Sequence, residues 1–236
     1  MRIRILLAAA AGLVAAMPAA AQVDLSGEVE IVSDYRYRGL SLSNGHPALQ
    51  ASVETELAGF YVGGFGSWVP HAGGSAGLEL DATVGYRVAL DARLTLDGGV
   101  TYYLYPRARD CDYAETSATL GWERGETNAR AGLAYAPRQP NLVDAAGTRS
   151  DNLYGFVAFE QAIAGTPLGL MLEGGYESGA FDGAARGGKL DWRAGVTVSR
   201  GRLYASASYA GALRPLAADG ERRTERGLVF ALGRSF

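Results

Sequence analysis

The side chains suited to bond-making chemistry are few. His46 and His71 are the two histidines, and Ser41 and Ser43 lie near His46, which would put a base within reach of a hydroxyl nucleophile. Neither serine sits in a G-x-S-x-G elbow and no acid is spaced to orient an imidazole, so no catalytic residue and no enzymatic activity are expected. Asp110 and Asp112 flank the single cysteine, Cys111. With the histidines they could offer metal ligands, but they fall in separate segments and lack the close spacing of a zinc site. No metal and no other cofactor is expected. One cysteine also excludes a disulfide framework.

A larger set of polar residues has a different use. Glu28, Glu30, Arg36, Glu54, Glu56, Glu79, Asp81, Arg87, Arg93, Asp97, Arg130, Glu173, Arg193 and Arg202 stand on the polar side of alternating runs. Charges that face an enclosed wet space can line a passage, where rings of one sign tune ion preference. They can equally pair across that space and hold it shut, because charges removed from water are kept paired. The sequence leaves both readings open.

The elements that carry these charges have a period of two. Leu25, Gly27, Val29 and Ile31 take one face while Ser26, Glu28 and Glu30 take the other, and the pattern continues with Tyr35 and Tyr37 opposite Asp34, Arg36 and Arg38. Leu49, Ala51, Val53, Thr55 and Leu57 repeat it against Gln50, Ser52, Glu54 and Glu56. A helix would space its apolar residues three and four apart, so these runs are strands. About twelve follow one another to Phe236, none with a central proline, and the least regular is Leu153 to Ala162. Short joins such as Ala58-Gly59 and Gly125-Glu126 alternate with long polar ones, including Gly39 to His46 and Pro137 to Asn152. That asymmetry places all short turns at one end and all long loops at the other, as in outer-membrane barrels with periplasmic turns and extracellular loops.

Alternation fits a soluble sandwich as well, so the orientation of the faces rests on three further features. Aromatic residues gather near the ends of the runs: Tyr35, Tyr37, Trp68, Tyr102, Tyr105, Tyr135, Tyr176 and Tyr209 toward the long loops, and Phe60, Tyr86, Trp122 and Phe236 toward the short turns. Two such girdles are expected at the two membrane interfaces. The uncharged residues of the polar face are mostly Ser, Thr, Gly and Ala, which suit a crowded lumen. The chain ends on a strand closing with Phe236, similar to the signal read by the barrel-assembly machinery, with Arg234 departing from the residue usual two positions earlier. The reading is all-β: a single transmembrane antiparallel up-and-down β-barrel over residues 22–236, embedded in outer-membrane lipid and lipopolysaccharide.

The first 21 residues read as a signal peptide. Arg2 and Arg4 precede an apolar stretch from Ile5 to Met17, and Ala19-Ala20-Ala21 supplies small residues for cleavage before Gln22. Its removal leaves 20 basic and 25 acidic residues, an acidic chain with no basic run to hold nucleic acid.

The stretch from Ser33 to Gln50 resembles the hallmark of the TorF porin family, S-D-Y-x-x-R-G-x-S-x-S followed by P-A-x-Q. Ser33, Asp34, Tyr35, Arg38, Gly39, Ser41, Ser43, Pro47, Ala48 and Gln50 all match it. The resemblance implies an outer-membrane barrel passing small hydrophilic solutes or ions, with no established substrate. Gly39 is expected to turn the chain at the strand end, Pro47 to restart the next strand, and Asp34 to pair with Arg38 at the mouth. The alternative is a closed barrel acting as an adhesin or receptor through its loops, chiefly Pro137 to Asn152. The sequence leaves the solute, the state of the lumen and homo-oligomerisation open.

Overall fold

The computed structural model describes residues 24–69, 77–144, 146–183, 188–213 and 225–236. The signal peptide expected at 1–21 and His71 lie outside these residues. The strands are β1 (Asp24–Val32), β2 (Arg36–Tyr37), β3 (Leu40–Ser41), β4 (Ala48–Leu57), β5 (Phe60–Ser67), β6 (Glu79–Ala89), β7 (Leu94–Leu104), β8 (Tyr113–Arg124), β9 (Thr127–Ala136), β10 (Asn152–Ala162), β11 (Leu168–Gly179), β12 (Lys189–Arg200), β13 (Leu203–Leu213) and β14 (Glu225–Ser235). Twelve of them form one closed antiparallel barrel in which sequence neighbours pair and β1 meets β14; β2 and β3 make a separate hairpin.

The period-two pattern sets the faces. Val29, Leu49, Val84, Leu120, Leu172, Val196 and Leu228 are exposed on the outside of the wall. A soluble protein would bury such a belt; here it has no protein partner among the described residues, as a lipid-facing surface requires. Inward, glycines and other small residues make room for aromatics: Phe156 lies over Gly132 and Tyr154 over Gly175. This accounts for the bulk that β10 carries on both faces. The turns follow the expected spacing, and in the β6–β7 turn Asp91 accepts the N–H groups of Arg93 at 2.7 Å and Leu94 at 2.8 Å. Those two bonds hold its carboxyl below the usual range.

The barrel's apolar core sits at the long-loop end. Val32, Tyr35, Ala48, Val69, Tyr103, Tyr105, Tyr113, Ala136 and Leu142 form one buried cluster. Tyr35, Tyr37 and Tyr105, expected in the girdle, therefore belong elsewhere. Tyr35 and Tyr37 point inward because the wall ends at Val32, where Ser33 exchanges hydrogen bonds with Phe230 and the chain leaves the sheet for the lumen, and the Tyr105 hydroxyl turns inward to Glu79. Trp68, Tyr102, Tyr135, Tyr176 and Tyr209 remain exposed at that end, and Phe60, Tyr86 and Phe236 at the other.

Closure rests on a short seam. β1 and β14 share five register pairs against nine between β1 and β4, and Phe236 adds backbone bonds of 2.9 and 3.3 Å to Gly27. The Phe236 ring lies on Gly27, where a Cβ would come within 2.5 Å of it and 2.7 Å of the Ser52 carbonyl oxygen. Gly27→Val is therefore expected to push the ring off and loosen the seam. The folded, fast-migrating band on a semi-native gel should then convert at lower temperature than wild type; an unchanged conversion would contradict this role for the seam.

Candidate functional site

The stretch 33–47, expected as the end of the first strand and an external loop from Gly39 to His46, folds into the barrel. Asp34 organises it. One carboxylate oxygen accepts the Ser41 hydroxyl at 2.5 Å, the Ser43 hydroxyl at 3.2 Å and the Gly45 N–H at 3.2 Å, and the other accepts Arg36 Nε at 2.6 Å. Ser43 also accepts the Tyr35 N–H at 2.8 Å. The motif residues thus build the loop itself, and the expected Asp34–Arg38 pair is not formed: Arg36 is the nearer partner.

Arg38 is the loop's inner tip. It and Gly39 are the central residues of the β2–β3 hairpin with φ of 48° and 80°, the left-handed pair that two-residue hairpin turns require. A Cβ on Gly39 would stand 2.4 Å from the Gly211 carbonyl oxygen and 2.8 Å from Asp191 Cβ, so only glycine lets the tip rest on the wall. Its turn lies inside the lumen, not at the strand end. Arg38 pays for its strained backbone by reaching across the barrel, donating to Glu115 on β8 at 2.6 Å and Glu177 on β11 at 2.7 Å. Its guanidinium lies 4.7 Å from the Tyr37 ring centre and 4.2 Å from that of Tyr154. Lys189, 1% exposed, pairs with Glu177 at 2.5 Å and donates to the Arg38 carbonyl at 2.9 Å. Tyr37 and Tyr103 share a hydroxyl bond of 2.9 Å, and Glu225 accepts the Ser41 N–H. These bonds tie the inserted hairpin to five separate strands, β7, β8, β11, β12 and β14.

Below the loop the lumen is open space. A cavity of about 770 Å³ runs from Asp34, Tyr35 and Arg36 on the loop's underside to Glu126 and Ser199 at the short-turn end, passing Glu28, Glu30 and Arg193. A second, of about 470 Å³, lies under the tip between Glu115, Arg130, Glu173 and Asp191. A third, of about 380 Å³, lies against Glu54, Tyr61 and Asp81.

A family model described as a bacterial protein of unknown function, Gcw_chp, matches residues 16–236. The chain belongs to the Gcw_chp family. The TorF resemblance rests on the first-loop motif and not on this match. No curated protein sequence matches the chain. Among solved structures the Gcw_chp barrel is similar to the NanC porin, at 13% identity and a TM-score of 0.62 over 90% of this chain and 99% of that one. It is also similar to the KdgM porin, at 9% identity and a TM-score of 0.55 over 89% and 98%. An outer-membrane channel from Pseudomonas putida F1 matches at 11% identity and a TM-score of 0.50 over 94% and 97%. At such identities the likeness is one of fold.

The charges that sequence alternation singled out separate into groups in the Gcw_chp barrel. Arg87 gathers Glu54 at 3.3 Å, Glu56 at 2.5 Å and Asp97 at 2.9 Å. Tyr61 donates to Asp97 at 2.8 Å, so one wall of the lumen carries three carboxylates on one cation. Arg130 pairs with Glu160 at 3.2 Å, Glu30 accepts the Tyr204 hydroxyl, and Glu79 accepts that of Tyr105. Glu173 and Arg193 are register neighbours on β11 and β12. Arg93 and Arg202 stand instead in exposed short turns beyond the ends of β7 and β13, because the wall stops one residue past each. Alternation missed Glu115, Glu177, Lys189 and Asp191. Their parity was visible, and Lys189 is the single lysine of the chain, but nothing local marks the loop that buries them.

The groups weighed for catalysis are engaged otherwise. Both loop serines donate to Asp34, and His46 Nδ1 lies 3.2 and 3.0 Å from the Ser43 and Asn44 carbonyl oxygens. Asp112 accepts the Tyr105 N–H, and Cys111 is half-buried in a single helical turn. Burial, reinforced by the flanking Asp110 and Asp112 charges, pushes its thiol up and away from reactivity. Among the described residues no group of three or more His, Cys, Asp or Glu could hold a metal ion. The 137–152 stretch lies down: Leu142 joins the core, and Gln139 and Asn141 bond to Ala114, Arg109 and Asp112.

Proposed function

We propose that this protein is an outer-membrane channel through which small hydrophilic solutes or ions diffuse, narrowed near its external end by the inserted first loop. The observation that carries the reading is a charge-lined cavity of about 770 Å³ inside a closed barrel whose outer surface is apolar. Backbone groups can cross a bilayer in a closed sheet, and a twelve-stranded barrel lies between side-chain-filled and wide-channel sizes, so lumen side chains govern passage. The resemblance in fold to porins supports it. Residues 1–21 act as the export signal, Phe236 meets the barrel-assembly machinery, and lipid and lipopolysaccharide surround the belt. Purified protein in a planar bilayer is expected to give discrete conductance steps. A membrane that stays silent at high protein load would overturn the proposal.

A further inference from the structure

Carboxylates outnumber guanidiniums along the large cavity. The large cavity is lined by the carboxylates of Glu28, Glu30, Asp34, Glu123, Glu126 and Glu160 against the guanidiniums of Arg36 and Arg193. Arg36 is bound to Asp34, and Glu160 is bound to Arg130. What remains is Glu28, Glu30, Glu123 and Glu126 facing Arg193, which has no carboxylate partner within ion-pair distance among the described residues. Arg200 and Arg234 stand exposed in register with the outward Leu203, on the lipid side of the same rim.

A second observation, independent of this count, comes from the space under the loop tip. Glu115 and Asp191 line it, are 5% and 6% exposed, and each leaves one carboxylate oxygen with no hydrogen-bond donor. A buried oxygen of that kind carries a desolvation cost until a donor or a cation reaches it. The nearest donors do not do so: the Arg38 guanidinium donates to the other oxygen of Glu115, and the Tyr154 hydroxyl to the other oxygen of Asp191. Arg36 and Arg193 border both cavities, so the acidic space below and these two oxygens belong to one lumen.

We propose that the lumen selects for cations, with Glu28 and Glu30 setting the preference along the large cavity and Glu115 and Asp191 offering unfilled oxygens beneath the loop. Low-dielectric walls focus the field of like-signed residues, which raises the local concentration of counter-ions and repels anions. The inference rests on the channel reading above, and the experiment separates the two.

Reversal potentials are measured in planar bilayers across a KCl gradient at low ionic strength. Cations should carry the current with a preference of about threefold or more over chloride, and Glu28→Gln with Glu30→Gln should bring it toward unity. Steps that reverse at zero, or with the sign of an anion channel, would overturn the inference while leaving the channel reading intact. No steps at all would overturn the channel reading. Terbium luminescence then decides this one, since Tyr204 beside Glu30 and Tyr61 beside Asp97 can sensitise a bound lanthanide. Emission that falls in the double variant supports a cation-binding lumen, and equal emission in both overturns it. Glu126→Gln, in an exposed short turn, replaces the double variant should that fail to fold.

Discussion

Replacing Arg38 with methionine should unseat the first loop and raise the single-channel conductance. The guanidinium bridges Glu115 on β8 and Glu177 on β11, both almost fully buried. Methionine keeps the length and apolar contact of the side chain, so the Tyr37 and Tyr154 rings lose a cation but not a neighbour. The carboxylates fare worse. Stripping one partner from a buried pair costs about 3–5 kcal/mol, because the remaining charge must be held without compensation. Lys189 still neutralises Glu177, which leaves Glu115 as the buried charge without a cation. About 3 kcal/mol shifts a seated-to-unseated ratio by roughly a hundredfold. The loop should therefore swing away from the wall, become open to protease around Gly39, and widen the passage. The compensating variant Arg38→Met with Glu115→Gln removes the buried charge and should restore most of the seating. Unchanged conductance together with unchanged protease resistance in Arg38→Met would show that the aromatic and backbone contacts hold the loop alone.

How far the architecture could be read in advance follows from where each interaction is encoded. Strand number and the inner and outer faces were legible because side-chain parity is a local property: Leu49 to Leu57 show it without reference to any other segment. The first loop was not, and its alternation was misleading. Asp34, Arg36 and Arg38 continue the polar face of β1 in sequence, yet the strand stops at Val32. The stop is set by hydrogen bonds from Ser33 to Phe230, 197 residues away, which no local pattern reveals. The same holds for Arg38, whose partners lie 77 and 139 residues downstream. The motif announced that the stretch is built to a pattern. Only the three-dimensional arrangement shows that the pattern is an inserted loop organised on one carboxylate. Tyr105 illustrates the converse: it looks like a girdle residue by position, but its hydroxyl finds Glu79 inside the barrel.

Arginine substituted at Leu172 should destabilise the barrel far more than arginine at Leu203. The two leucines are 55% and 57% exposed, so burial within the protein alone predicts equal tolerance. They differ in depth. Leu172 lies within β11, paired with Ala194 and Phe159, whereas Leu203 is the first residue of β13, beside the short turn at 201–202. If lipid tails cover the belt, a guanidinium at Leu172 must be carried into hydrocarbon at a cost of about 2–4 kcal/mol, and one at Leu203 reaches headgroups at about 0–1 kcal/mol. Arg200 and Arg234, register partners of Leu203, already stand at that level. Were the belt instead covered by water, both substitutions would be nearly silent, because an exposed leucine on a soluble sheet gives way to arginine at little expense. Urea unfolding of each variant from lipid vesicles measures the gap directly. A difference of about 2 kcal/mol or more fixes the apolar belt against the membrane core; equal midpoints would remove the physical ground on which the barrel is assigned to a bilayer.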